Sequence, residues 1–241
     1  MLAHRFNTKT LAITSIFTVF TCVATCVLKV DIPQTKGYFN IGDSAVYITA
    51  LLFGPIIGGV AGGIGPMLAD LILGAPWFAP GTLTIKFIEG ILVGYISHKP
   101  NPLEKWKRFW KLLTVFIGIF LAFTIYEVGS AFYSVEWQFT PLGIYMGSIQ
   151  FNPSFWMIVA ILLEAFLIYV GVGLDPKVVW QGLAVLIGGA EMILGYFIYE
   201  FYFLGFGYAT FYEVPFNIGQ ATIGLALAIP AVRAVKKTLR L

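Results

Sequence analysis

Apolar residues run along this chain in long blocks, without the alternation of half-buried strands or the narrow stripe of a soluble amphipathic helix. A helix crossing a bilayer needs about 20 apolar residues. The blocks predict eight spans, at roughly 9–29, 39–54, 55–74, 80–98, 111–133, 154–174, 178–204 and 214–235. The second is short and meets the third at Gly54-Pro55, a turn with proline at the first helical position. A transmembrane β-barrel would show short alternating segments, so the pattern predicts an all-α polytopic membrane protein. We expect a single transmembrane domain over 1–241, a compact bundle of about eight helices. The N-terminal block from Leu11 to Leu28 is long enough to span and is followed by no small-x-small cleavage site, so it is expected to remain as a first helix.

Polar positions interrupt these blocks selectively. Residues 37–94 are apolar enough for lipid, yet hold Asp43, Asp70, Lys86 and Glu89 among many glycines. Ionisable groups in hydrocarbon are costly and mark functional sites by default. Glu127, Glu164, Glu191 and Glu200 add further embedded acids, so seven or so carboxylates face one base, Lys86. Lys86 and Glu89, three apart, share a helix face, and Asp70 is within reach of Lys86 from the neighbouring helix. For each such pair the pattern leaves two roles open, a brace between helices or direct contact with a ligand. Bracing is the expectation for Glu127 and Glu164, which sit in otherwise greasy helices. Asn40, Asp43 and Tyr47 fall on one helical stripe, Glu191, Gly195 and Tyr199 on another, and Tyr196 and Glu200 on a third. Aromatic and polar groups together suit a flat, polar heteroaromatic ligand, although interfacial tyrosines would give the same pattern. Gly54, Gly58 and Gly62 recur every four residues, as do Gly59 and Gly63, and Gly90 and Gly94. Small residues at this spacing bring helix backbones together.

Composition sharpens the class. The chain is 59% hydrophobic and 11% charged, whereas a soluble domain is about 25% charged. Charge placement sets orientation. Arg5, Lys9, Lys99, Lys105, Lys107, Arg108, Lys111, Lys177, Arg233, Lys236, Lys237 and Arg240 fall on one side of the eight-span layout, and Lys29 and Lys36 on the other. Both termini are therefore expected in the cytoplasm, with 30–38, 75–79, 134–153 and 205–213 outside and most of the embedded polarity in the outer half. The basic connector 99–111 reads as a topology-setting loop or as a contact for anionic head groups or a partner. Cys22 and Cys26 read as packing residues. His4 and His98 lie outside the blocks. No metal-ligand cluster, phosphate loop or nucleophile motif occurs, so no metal, cofactor or enzyme activity is expected, and no nucleic-acid partner.

The order of GYFNIGD, LLFGPIIGGVAGGIG, LADLILG, APGTLTIKFIEG, LGYFIYE and VPFNIGQ resembles the S components of energy-coupling factor (ECF) transporters, over about residues 8–98 and 180–236. The resemblance implies a plasma-membrane subunit that binds a water-soluble vitamin or precursor. It would work with a transmembrane coupling subunit and two cytoplasmic ATPases, and topple in the bilayer to deliver its cargo. Gly37, Gly42, Gly81 and Gly90 fall on family motif positions. So do the residues implied as substrate-binding: Asn40, Asp43, Asp70, Thr82, Lys86, Glu89, Glu191, Tyr196 and Asn217, to which the stripe adds Tyr47. Typical members have six helices, so 103–176 reads as an inserted helix pair. Members often carry Ala-x-x-x-Ala in the first helix for docking the coupling subunit; the corresponding positions here are Ser15 and Val19. A flavin, a pyrimidine or thiazole precursor and pantothenate stand equally as ligands. The competing reading is a stand-alone, proton-coupled secondary transporter of a small polar solute that uses the surplus carboxylates.

Overall fold

A computed structural model describes residues 8–102, 107–132, 136–139, 147–173 and 175–239. His4, Arg5, Lys105 and Arg240 lie outside the described residues, as does part of the connector 99–111. Among the described residues the chain forms eight α-helices: α1 (Thr8–Val27), α2 (Gly42–Phe53), α3 (Pro55–Ile72), α4 (Ala79–Ser97), α5 (Lys107–Phe132), α6 (Pro153–Gly173), α7 (Pro176–Ile198) and α8 (Glu213–Leu239). Five stretches are long and apolar enough to cross a membrane: Thr8–Val27, Pro55–Ile72, Lys111–Ala131, Pro176–Phe203 and Gly207–Thr238. With large apolar side chains such as Phe116, Phe120 and Leu162 exposed, this is a multi-pass membrane protein.

Local chemistry explains the joints. Gly54 has φ 83°, a conformation that side chains resist. Its N–H closes α2 onto the Ala50 carbonyl, and its own carbonyl accepts from Gly58 to open α3. Pro55 then occupies the first helical position, where no N–H is needed. At the start of α7 the Asp175 carboxylate accepts from the Lys177 N–H at 2.9 Å, the usual cap. The short α2 sits in the middle, in contact with α1, α3, α4 and α8, and nine of its 12 residues are buried. The main core joins Tyr47 and Leu51 to Val93, Val185, Leu225 and Ile229.

The glycine periodicity does what its spacing predicted. A methyl group on Gly58 would meet Ala50 of α2 at 2.7 Å and the Gly90 carbonyl of α4 at 3.0 Å, and one on Gly62 would meet Val46 at 2.8 Å. Methyl groups on Gly59 and Gly63 would strike Ile91 and Phe87, and one on Gly94 the Gly54 and Pro55 backbone. Gly54 is the exception in this set: its value is the turn, with only His98 nearby at 3.9 Å.

Three features depart from the expected layout. The segment after α1 is not a plain loop but a hairpin, β1 (Val30–Ile32) with β2 (Gly37–Phe39). Beyond α5, β3 (Glu136–Phe139) and β4 (Gly147–Gln150) form a second hairpin, and the two join through the Val30–Phe139 pair into one antiparallel sheet ordered β2-β1-β3-β4. Helix α7 runs on as a π-helical turn, Tyr199–Phe203, followed by a 3₁₀ turn over Gly207–Tyr212. Helices α5 and α6 pack chiefly on each other and reach the core through Ile125, Leu163 and Leu167.

Candidate functional site

At the sheet end of the bundle a cavity lies between β2, α4, the α7 terminus and the start of α8. Its wall is built from Tyr38, Asn40, Asp70, Phe78, Thr82, Lys86, Tyr196, Glu200, Glu213, Asn217 and Gln220. It is tightly drawn in, with a volume of only about 40 Å³.

The base of the site is a buried charge cluster. Lys86 Nζ lies 2.5 Å from Asp43 Oδ1 and 2.9 Å from Glu89 Oε2. Tyr47 donates its hydroxyl to Glu89 Oε1 at 2.8 Å. All four side chains are buried, Tyr47 and Glu89 completely. Gly189 of α7 and Gly224 of α8 leave room for the Tyr47 side chain. One ammonium is thus shared between two acidic groups, in a medium where an unpaired charge is very costly. Above it, the Tyr196 ring lies 5.8 Å from Lys86 Nζ, and its hydroxyl donates to Thr82 Oγ1 at 2.9 Å.

Two networks close the sides. Asn40 accepts from the Gly42 N–H at 2.7 Å, and its own N–H donates to Gln220, whose amide donates to Asn217 at 2.9 Å. This chain fastens the β2–α2 junction to α8. Opposite, the Tyr38 hydroxyl donates to Asp70, and the Thr35 hydroxyl to Glu213. Burial, reinforced by the Asp70 carboxylate, holds the Tyr38 phenol above its usual range, so it serves as a donor. A side chain at Gly37 would collide with the Glu213 carboxylate, and one at Gly81 with the Tyr199 ring at 2.5 Å. Glu200 is 1% exposed and its Oε2 has no hydrogen-bond partner.

Of the residues singled out in the sequence, Gly37, Asn40, Asp70, Thr82, Lys86, Tyr196, Glu200 and Asn217 reach the cavity wall. Asp43, Glu89 and Tyr47 lie beneath it as the support of Lys86, and Glu191 is half-buried on α7, off the wall. The expected Asp70–Lys86 pairing is replaced: Asp43 takes the lysine, and Asp70 takes Tyr38. The Asn40–Asp43–Tyr47 stripe is likewise corrected, because α2 starts at Gly42 and Asn40 lies ahead of it. Glu164 lies against Gly118 of α5 without a hydrogen-bond partner, and Glu127 is exposed, so among the described residues no side-chain bond shows the bracing expected of either. Ser15 and Val19 lie on the exposed face of α1. Tyr38, Phe78 and Glu213 are the wall residues that sequence reasoning missed. The signal for Tyr38 lay inside GYFNIGD, next to the glycine and asparagine that were picked out.

Comparison with known proteins adds two findings. A family model described as "ECF-type riboflavin transporter, S component" matches residues 5–142, more than half of the chain and running on through α5. A protein of Pyrococcus woesei described as "Uncharacterized protein in gap 3'region" is 48% identical over 75 residues, 31% of this chain and 50% of that protein. The chain spans about half the length of this curated relative.

Proposed function

This chain belongs to the family of S components of ECF-type riboflavin transporters, and we propose that it binds a flavin in the cavity at the sheet end of its bundle. The observation that carries this reading is the composition of the wall. Tyr38, Phe78 and Tyr196 supply aromatic faces, while Asn40, Thr82, Lys86, Asn217 and Gln220 supply a polar edge. A flavin presents the matching pair, a flat three-ring system and an imide edge that both donates and accepts. Asparagine and glutamine amides offer donor and acceptor side by side, and Lys86 adds a charged donor held in place by Asp43 and Glu89. Small-molecule sites usually enclose about 300–1,000 Å³, so a three-ring ligand enters this cavity of about 40 Å³ only if the wall opens.

In this reading the chain makes and breaks no bond. It captures the vitamin from outside, with both termini in the cytoplasm, and passes it inward with a coupling subunit, docked along the α1 face that includes Ser15 and Val19, and two ATPase subunits. The test is titration of detergent-purified protein with riboflavin, followed by quenching of flavin fluorescence. One riboflavin per chain is expected, with affinity lowered at least about tenfold by Asn217→Ala, the loss of one good buried hydrogen-bonding group. Failure to bind riboflavin, with binding of pantothenate or a thiazole precursor instead, would overturn the flavin assignment. Uptake by the chain alone in proteoliposomes, driven by a pH gradient, would overturn the subunit role in favour of a proton-coupled transporter.

A further inference from the structure

At the end of the bundle opposite the sheet, the last turns of α2 and α8 and the first turn of α7 line a groove of about 880 Å³. Its lining combines two kinds of group. Leu52 and Phe53 are apolar and half-buried, while Lys177, Arg233, Lys236 and Lys237 are cations. Among the described residues none of the four cations is in an ion pair. The one acid on the lining, Asp175, is engaged in capping α7 through the Lys177 N–H.

This arrangement is unfavourable on its own. Arg233 precedes Lys236 and Lys237 by three and four residues on one helix, spacings at which like charges repel. A bound anion removes that repulsion. The groove also lies at the ends of two stretches long and apolar enough to cross a membrane, Pro176–Phe203 and Gly207–Thr238.

We propose that this groove binds an anionic phospholipid, with the headgroup phosphate held by Arg233, Lys236, Lys237 and Lys177 and the chains against Leu52 and Phe53. An acidic protein surface would use the cations but leave the half-buried Leu52 and Phe53 unused. Basic pockets between transmembrane helices are a recognised setting for such head groups.

The test is native mass spectrometry of the full chain purified in mild detergent and titrated with phosphatidylglycerol or phosphatidylcholine. Wild-type protein is expected to retain one phosphatidylglycerol per chain, in preference to phosphatidylcholine by about tenfold or more. Arg233→Gln combined with Lys236→Gln keeps the long stems and should abolish that preference. The charge-matched control, Lys9→Gln with Lys36→Gln, both exposed and away from the groove, should leave it in place. Elution volume and helical circular dichroism establish that each variant is folded. Equal binding of the two lipids, or equal loss in the control, would overturn the proposal. So would displacement of the lipid by millimolar inorganic phosphate, which would mark a free-phosphate site. Binding of an isolated acidic coupling subunit through these cations, without lipid preference, would overturn it as well.

Discussion

Lys86 carries two duties that pull in different directions. Its ammonium faces the cavity, and it also pairs with Asp43 and Glu89 beneath. Removing one partner of a buried ion cluster strands the others, typically at a cost of about 3–5 kcal/mol. Lys86→Met is therefore expected to lower the melting temperature of the detergent-solubilised protein sharply. Glu89→Gln, which leaves one lysine facing one aspartate, should cost less. Equal melting of Lys86→Met and wild type would show that the cluster does not hold α2 to α4. The Lys86–Glu89 pairing was legible because three residues along a helix is a fixed geometry. The choice of Asp43 over Asp70 was not, since it depends on how α2 lies against α4, which no local pattern encodes.

Helix contacts were the most readable elements, because a small residue every fourth position leaves one unfilled stripe. That reading yields opposite predictions for two glycines of similar helical setting. A methyl at Gly58 meets the α2 backbone at 2.7 Å, whereas the nearest atom to one at Gly182 is Leu225 Cδ1 at 3.9 Å. Gly58→Ala is expected to destabilise by about 1–3 kcal/mol, as overpacking does. Gly182→Ala should stabilise by up to about 1 kcal/mol through helix propensity. Thermal unfolding of the two variants side by side checks the pair; the same sign for both would contradict the packing described. The short strands were illegible for the converse reason. Three residues are too few to show alternation, and the Val30–Phe139 pair spans the whole of α2 to α5.

For the molecule as a whole, the β1–β2 hairpin is tied down by two side-chain bonds, Tyr38 to Asp70 and Thr35 to Glu213, and Ile32 packs against Phe151 and Trp156 beside α6. Tyr38→Phe removes one tie while keeping the ring. It is expected to speed flavin release by about tenfold or more, the kinetic worth of the roughly 1.5 kcal/mol or more of a hydrogen bond to a charged group, as measured by stopped-flow displacement. Unchanged release would mean the hairpin does not guard the cavity. The length of α2 fixes how far down that guarded space lies. Twelve residues rise only about 18 Å, against a hydrocarbon layer about 30 Å thick. With the Gly54 corner set at one face of that layer, a helix of this length would end about three-fifths of the way across, and the chain continues at its other end into β2 of the hairpin, like a stopper in the neck of a flask. A cargo resting on Lys86 would then sit below the plane of the lipid head groups, already part of the way through the barrier while still bound where it was captured.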